Sequence, residues 1–390
     1  MAPEDGLGIY VHWPFCISKC PYCDFNSHVA GTVDAARWRD ALLMELAHAA
    51  QETRRRVVTS IFFGGGTPSL MSPQVVEAVI DGVQRHWPLD PDLEVTLEAN
   101  PSSVDAARFA SFAKAGVNRL SVGVQSIDDD VLRFLGRVHG ADEARRAVDE
   151  AARHVRRYSF DLIYGWPGQT TADWRRSLSQ ALKLAGSHVS LYQLTIEPGT
   201  AFHRQRVATA DDDTLADLYE VTQEVLEAAG LPAYEVSNHA TAGDECRHNL
   251  AIWRGGDYVG IGPGAHGRLR QRGGATMAQQ RHRAPERWLA AVEHHGHGSQ
   301  RETRLKPIQR GEELLLLGLR LAEGIDPDRF RALTGLQLDQ LLNKPALDML
   351  SAEGLIEWHG GRLRVCAKGV LCLDAVLLAL LNADPAGAKG

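Results

Sequence analysis

The chain has 390 residues, 44% of them hydrophobic and 23% charged, with a formal net charge of −7. That length allows two or three domains around a large core, the acidic balance argues against nucleic acid as a main partner, and six cysteines are too few for a disulfide framework. The longest apolar stretches, 314–321 and 375–381, are too short to span a bilayer. With no basic segment followed by an apolar one at the start, a cytoplasmic protein is expected.

Short β-type runs alternate with amphipathic helical patterns through the first 240 residues. Strands are expected at 8–12, 59–63, 94–97, 119–124, 159–163 and 188–194. Between them, 105–115 sets Phe109, Phe112 and Ala113 on one helical face, with Gly116 as a stop. Strands alternating with helices build a parallel sheet, here a closed or partial α/β barrel over residues 1–240. Residues 241–305 are rich in Gly, Arg and His and read as a connector of loops and short elements. Between Arg268 and Arg310 ten Lys/Arg stand against three Asp/Glu, with His282, His294, His295 and His297 added. That stretch is either a solvated basic face or a surface for an anionic ligand or an acidic partner. From Lys306 come a Leu-rich helix at 312–322, a second at 328–333, and a helical pattern at 338–353 interrupted near Pro345. Then 355–359, the turn Gly360-Gly361 and 362–365 form a hairpin. Helices followed by a small hairpin give a winged-helix-like domain over 306–382, ahead of a frayed tail at 383–390.

Three cysteines, Cys16, Cys20 and Cys23, fall within eight residues. On one loop, their thiolates can hold three irons of a four-iron cubane and leave the fourth iron open. Structural zinc wants four closed ligands, and only Asp24 and His28 stand near as further donors; zinc or free thiols are the alternatives. Pro14 and Pro21 keep the segment out of a continuous helix. This loop follows the first strand, Gly64-Gly65-Gly66-Thr67-Pro68 the second, Glu98 the third and Gln125 the fourth, while Asp161 lies in the fifth. Barrel enzymes gather their chemistry at those strand ends. Carboxylates there suit ammonium and hydroxyl groups, and the guanidinium of Arg137 suits a carboxylate. Taken singly, the glycines make a tight turn, Glu98 caps a helix, Arg137 pairs on the surface, Asp161 anchors a loop and His248 is a structural histidine.

The cysteine run with Gly64-Gly65-Gly66-Thr67-Pro68 resembles the radical S-adenosylmethionine (radical SAM) superfamily. The resemblance implies a [4Fe–4S] cluster on Cys16, Cys20 and Cys23, S-adenosylmethionine (SAM) on the open iron, and a partial (β/α)6 barrel. Tyr10-Val11-His12, Glu98-Ala99-Asn100-Pro101, Leu135-Gly136-Arg137-Val138-His139 and Tyr164-Gly165-Trp166-Pro167-Gly168 are similar to one branch of it. That branch holds the oxygen-independent coproporphyrinogen III oxidases and the HemW-type haem chaperones. By this similarity Gly65, Gly66 and Thr67 hold the methionine end of SAM, Tyr10, Glu98, Gln125, Arg137 and Asp161 complete its site, and Tyr22 flanks the adenine. Phe25 stands where the oxidases carry a fourth cysteine, and Asp24-Phe25-Asn26-Ser27 is similar to the chaperone pattern. His248-Asn249-Leu250-Ala251-Ile252-Trp253 resembles the chaperones' haem-binding His-Asn-x-x-Tyr-Trp, with Ile252 in place of the tyrosine, and makes His248 the haem ligand. A haem chaperone is thereby implied, with haem as cargo, a haem-acceptor protein such as a membrane respiratory enzyme, and a homodimer among its assemblies. The alternative is a radical SAM enzyme acting on a porphyrinogen; a cluster protein with no haem role is the third reading.

Overall fold

The computed structural model describes residues 6–53, 55–271 and 273–381; the tail expected at 383–390 lies outside them. Six strands run parallel in sequential order: β1 Leu7–Trp13, β2 Val58–Gly65, β3 Leu89–Ala99, β4 Arg119–Gln125, β5 Arg157–Tyr164 and β6 His188–Gln193. Each expected strand is found, five of them extended by one or more residues and the sixth, expected at 188–194, ending at Gln193. Strands covered on both faces read as near-continuous apolar runs, and β1, Leu-Gly-Ile-Tyr-Val-His-Trp, is buried except for partly covered Tyr10. Helices pack outside this half-barrel. The helix expected at 105–115 is instead two short ones, Ser103–Ala106 and Phe109–Lys114, with Phe109 and Phe112 fully buried.

The connector expected at 241–305 is corrected by the structure. After β7 Asn238–Ala240 and a short helix Arg247–Trp253, strand β8 Asp257–Ile261 pairs in parallel with β1 on its free side. Strands β9 His266–Arg270, β10 Thr276–Arg281 and β11 Ser299–Arg304 then extend the same sheet antiparallel, to eleven strands in all. Their polar residues hid them: Gln279 and Gln280, on opposite faces of one strand, are only partly covered, and Glu302 is exposed, so no apolar alternation marks the strands. Glu45, on the helix Ala35–Thr53, fastens this extension from within. It accepts hydrogen bonds from the Gly262 and Gly298 backbone N–H and from Trp288 Nε1, at 2.7–2.8 Å, and pairs with Arg281 at 3.0 Å.

The C-terminal domain has its own core, in which Leu315, Phe330, Ile356, Leu363 and Leu380 are buried together. Helices Pro307–Gly318, Pro327–Thr334 and Lys344–Ala352 precede the hairpin β12 Ile356–His359 and β13 Arg362–Val365. Its turn residues Gly360 and Gly361 have φ of 55° and 78°, the left-handed pair that a two-residue hairpin turn requires. The interruption near Pro345 is real: Pro345 sits in the first turn of Lys344–Ala352, where its missing N–H costs nothing. No helix among the described residues is long and apolar enough to cross a membrane.

Candidate functional site

A cleft of about 380 Å³ opens over the C-terminal ends of the parallel strands. Cys16, Cys20, Cys23, Tyr22, Gly65, Gly66, Thr67, Glu98, Gln125, Arg137 and Asp161 all line it, so eleven of the residues expected in the cluster and SAM sites are brought together. Each of the three cysteine sulfurs has a hydrogen-bonding neighbour: Thr67 Oγ1 at 3.4 Å from Cys16, Arg137 Nη1 at 3.2 Å from Cys20 and Ser27 Oγ at 3.5 Å from Cys23. Hydrogen bonds to sulfur are one of the means by which a protein sets a cluster's reduction potential. Among the described residues, no three His, Cys, Asp or Glu side chains close on one point as a single zinc ion demands. Thiolates spread along a loop suit a multi-iron cluster, which takes one at each corner.

The glycine strap lies flush against the end of β1. A Cβ at Gly66 would stand 2.8 Å from the carbonyl oxygen of Phe15, and one at Gly65, whose φ is 118°, 2.7 Å from the His12 ring. Its N–H groups are already engaged: Gly65 N with Glu98 Oε2 at 3.1 Å, Gly66 N with Trp13 O at 2.7 Å and Thr67 N with Phe15 O at 2.9 Å. The strap therefore offers a ligand a smooth wall and not a nest of N–H donors.

Two carboxyls, Glu98 and Asp161, face this cleft. Burial, and then the neighbouring Asp161 carboxylate, push Glu98 up to about 8 against the pull of the Gly65 N–H. Burial pushes Asp161 up to about 6, opposed by the Ser190 hydroxyl and by Arg119 and Arg137. Arg137 completes the wall, with Nη2 2.8 Å from Asn100 Oδ1 and 3.0 Å from Gly123 O, while its buried Nε has no partner. A zwitterionic ligand carrying extra positive charge matches this donor set: its cationic groups would neutralise Glu98 and Asp161, and its carboxylate would meet Arg137. These residues fit SAM.

Gln125 ends β4 at φ 67°, a left-handed conformation uncommon outside glycine. Two side chains from the 135–139 segment hold that strand end, His139 Nε2 donating to Val124 O at 3.0 Å and Arg137 to Gly123 O. Asn100 was missed as a site residue, although it bridges Arg137 and Thr67, donating to Thr67 Oγ1 at 3.1 Å. So were Gln193 at the end of β6 and Thr195 and Glu197 just beyond it, which also line the cleft; the strand-end rule applied to the sixth strand points to them.

Tyr10 does not line the cleft. It lies beneath, its hydroxyl 3.0 Å from His12 Nδ1 and its ring centroid 6.2 Å from Phe62 and 6.3 Å from His248, which stack on each other at 5.1 Å. His248 lies deeper, near the opposite end of the strands, and is 2% exposed. Its Nδ1 is 2.9 Å from Ser60 Oγ, its Nε2 has no partner, and burial pushes its pKa down to about 4. Glu94 on β3 accepts the backbone N–H groups of Arg247 and His248, both at 3.2 Å, and pairs with Arg157 at 2.6 Å. The two sites expected from the motifs are therefore separate: one open cleft, and one imidazole enclosed in the barrel.

The radical SAM superfamily model matches residues 10–181 and the HemN C-terminal domain model residues 305–372. Fold and site thus define a radical SAM protein with a HemN-type C-terminal domain, and that class implies a [4Fe–4S] cluster and SAM. Heme chaperone HemW of Escherichia coli (strain K12) is 39% identical over 373 residues, covering 95% of this chain and 97% of its own. Radical S-adenosyl methionine domain-containing protein 1, mitochondrial, of Bos taurus is 40% identical over 384 residues, covering 96% and 87%. The chain belongs to the family of the HemW heme chaperones. Coproporphyrinogen III oxidase (HemN) from Escherichia coli shares the fold, with a TM-score of 0.82 at 22% identity over 97% of this chain and 91% of that one.

Proposed function

We propose that this chain is a haem chaperone, which binds haem and hands it to an acceptor protein while carrying a [4Fe–4S] cluster on Cys16, Cys20 and Cys23 with SAM on the open iron. The observation that carries the reading is the similarity to a heme chaperone at 39% identity along 97% of that protein's length. The residues are consistent with it. Held neutral and with Nε2 unpartnered, His248 has the form of imidazole that binds iron. Because the ring is enclosed, haem uptake at this position includes an opening step in which the helix Arg247–Trp253 lifts from the sheet. When bound, cluster and SAM supply one-electron chemistry at the open iron; Glu98, Asp161 and Arg137 hold the charged groups that fix its orientation. An oxygen-labile cluster favours a reducing compartment such as the cytoplasm.

The test is an anaerobic haem titration of the cluster-loaded protein, followed by the Soret band. A Soret shift that is lost in His248→Ala supports the site; no shift, or one unchanged in the variant, sinks it. Light scattering on the same samples, with and without haem, reads the homodimer. A radical enzyme acting on a porphyrinogen is the second reading, favoured by the eleven expected cluster and cofactor residues gathered in the cleft. Formation of 5′-deoxyadenosine together with decarboxylated coproporphyrinogen III would decide for it.

A further inference from the structure

The helix Arg247–Trp253 is engaged at both ends. His248, near its start, is enclosed in the barrel, while Trp253, its last residue, lines a cavity of about 300 Å³ between the helix and the C-terminal domain. Among the described residues, the lining of this cavity shares none with the cysteine cleft. Pockets that hold organic ligands run from roughly 300 to 1,000 Å³, so this one takes an edge of a large flat molecule and leaves the remainder outside. Its inner wall is apolar, with Leu314, Leu321, Ile325, Phe330 and Leu333 all buried. Trp253 adds an aromatic face, steadied by the Arg320 guanidinium 5.9 Å from its centroid and by the Tyr234 ring at 6.2 Å. The rim is charged. Arg254 grips Glu323 through bonds of 2.7 and 2.8 Å, and its backbone oxygen accepts the Arg329 Nε–H at 2.7 Å. Arg362 reaches Asp326 at 3.2 Å and Glu323 at 3.7 Å. Three guanidiniums thus stand against two carboxylates. Glu323 reports the imbalance: burial pushes its pKa up, yet Arg254, Arg362 and Arg329 together hold it below its ordinary value. Such a rim favours a further carboxylate. A bare anion would leave the apolar wall uncovered, and a neutral chain would leave the guanidiniums unmet. A flat apolar ring with a pendant carboxylate answers to both.

We propose that this pocket receives the propionate-bearing edge of a tetrapyrrole, one propionate meeting Arg329 and Arg362 and the ring lying against Trp253, before the helix lifts and exposes His248. No covalent bond changes in this step; the ring exchanges water for the apolar wall, and its carboxylate gains charge-assisted hydrogen bonds. The C-terminal domain is then half of the receiving site. This placement rests on haem as the cargo but not on which residue takes the iron, so its test contains no iron. A Soret band unmoved by His248→Ala leaves the porphyrin result standing, and a failed porphyrin titration leaves the Soret result standing.

The experiment titrates the cluster-loaded full chain, without oxygen, into metal-free mesoporphyrin IX and follows the porphyrin's fluorescence anisotropy. Saturable binding is expected. Mesoporphyrin IX dimethyl ester, whose carboxylates are masked, should bind the unmodified protein roughly tenfold more weakly or worse. Arg329→Gln combined with Arg362→Gln should weaken mesoporphyrin to a similar degree and leave the ester unaffected, which separates a lost carboxylate contact from a damaged fold. Trp253→Ala should weaken both porphyrins alike. Palmitate, a carboxylate on a flexible chain, should fail to displace mesoporphyrin at equal concentration. No binding, an ester as tight as the free acid, a double variant of unchanged affinity, or displacement by palmitate would each overturn the proposal.

Discussion

Glu98 and Asp161 share one cleft, and burial together with the Asp161 carboxylate raises the cost of charging Glu98. A carboxyl whose pKa is higher in the fold than in the unfolded chain takes up its proton in the native state first. The fold is then favoured at low pH, and the advantage fades as pH rises from the unfolded value through the folded one. For Glu98 that window runs from about 4.5 to about 8. Two outcomes are expected. Binding of SAM near pH 7 releases about one proton, since a cation placed at Glu98 returns it to the charged form; calorimetry in two buffers of different ionisation enthalpy reads the number. Glu98→Gln abolishes that release, weakens SAM by roughly ten- to a hundredfold, and raises the melting temperature of the ligand-free protein above pH 8 but not below pH 4.5. A proton count unchanged in the variant would show that another group titrates.

The helix Arg247–Trp253 is the element on which access to His248 depends, and Glu94 is its clasp. Removing one partner of a buried ion pair costs about 3–5 kcal/mol. Glu94→Ala is therefore expected to lower the melting temperature and at the same time to speed haem uptake. In the unmodified protein the uptake rate should level off at high haem concentration, at the rate of opening, and in Glu94→Ala the plateau should be higher. A rate linear in haem and identical in both proteins would remove the opening step. The same helix marks where sequence reading reaches its limit. The thiolates, the glycine strap and Glu98 were legible because each follows a strand with its own local pattern, and the order of the strands places them together. The enclosure of His248 was not, because it depends on Glu94, 154 residues earlier, and on stacking with Tyr10 and Phe62. Strands β9–β11 were hidden for a related reason: their partners are one another and β8, and their own residues alternate weakly.

At the scale of the whole molecule, four enclosed histidines set the acid limit of stability. Burial pushes His139, His239 and His248 down to about 4 and holds His188 well below its ordinary value. The unfolded chain protonates these rings below about 6.5, so stability falls as pH drops from there toward 4, each ring adding about 1.4 kcal/mol per pH unit. Within part of that range the raised carboxyls of the cleft act in the opposite sense and offset part of the loss. Filling the cleft with SAM removes the offset. Thermal melts between pH 7 and 4.5 should therefore fall more steeply with SAM bound than without it, and parallel slopes would contradict the assignment.

Asn26, three residues after Cys23, donates its amide to Pro263 O at 2.9 Å and to Arg283 O at 3.0 Å, a bridge that joins the beginning of the chain to a part synthesised 237 and 257 residues later. During translation the three cysteines leave the ribosome well before residue 283, so their loop makes its contacts with Thr67 and Arg137 first and gains this last fastening only when residue 283 has emerged and folded back. The cysteine loop is thus made early and its fastening finished late. For much of its synthesis the nascent chain offers three thiols on a loop not yet closed on that side, and completion of the sheet ends that interval.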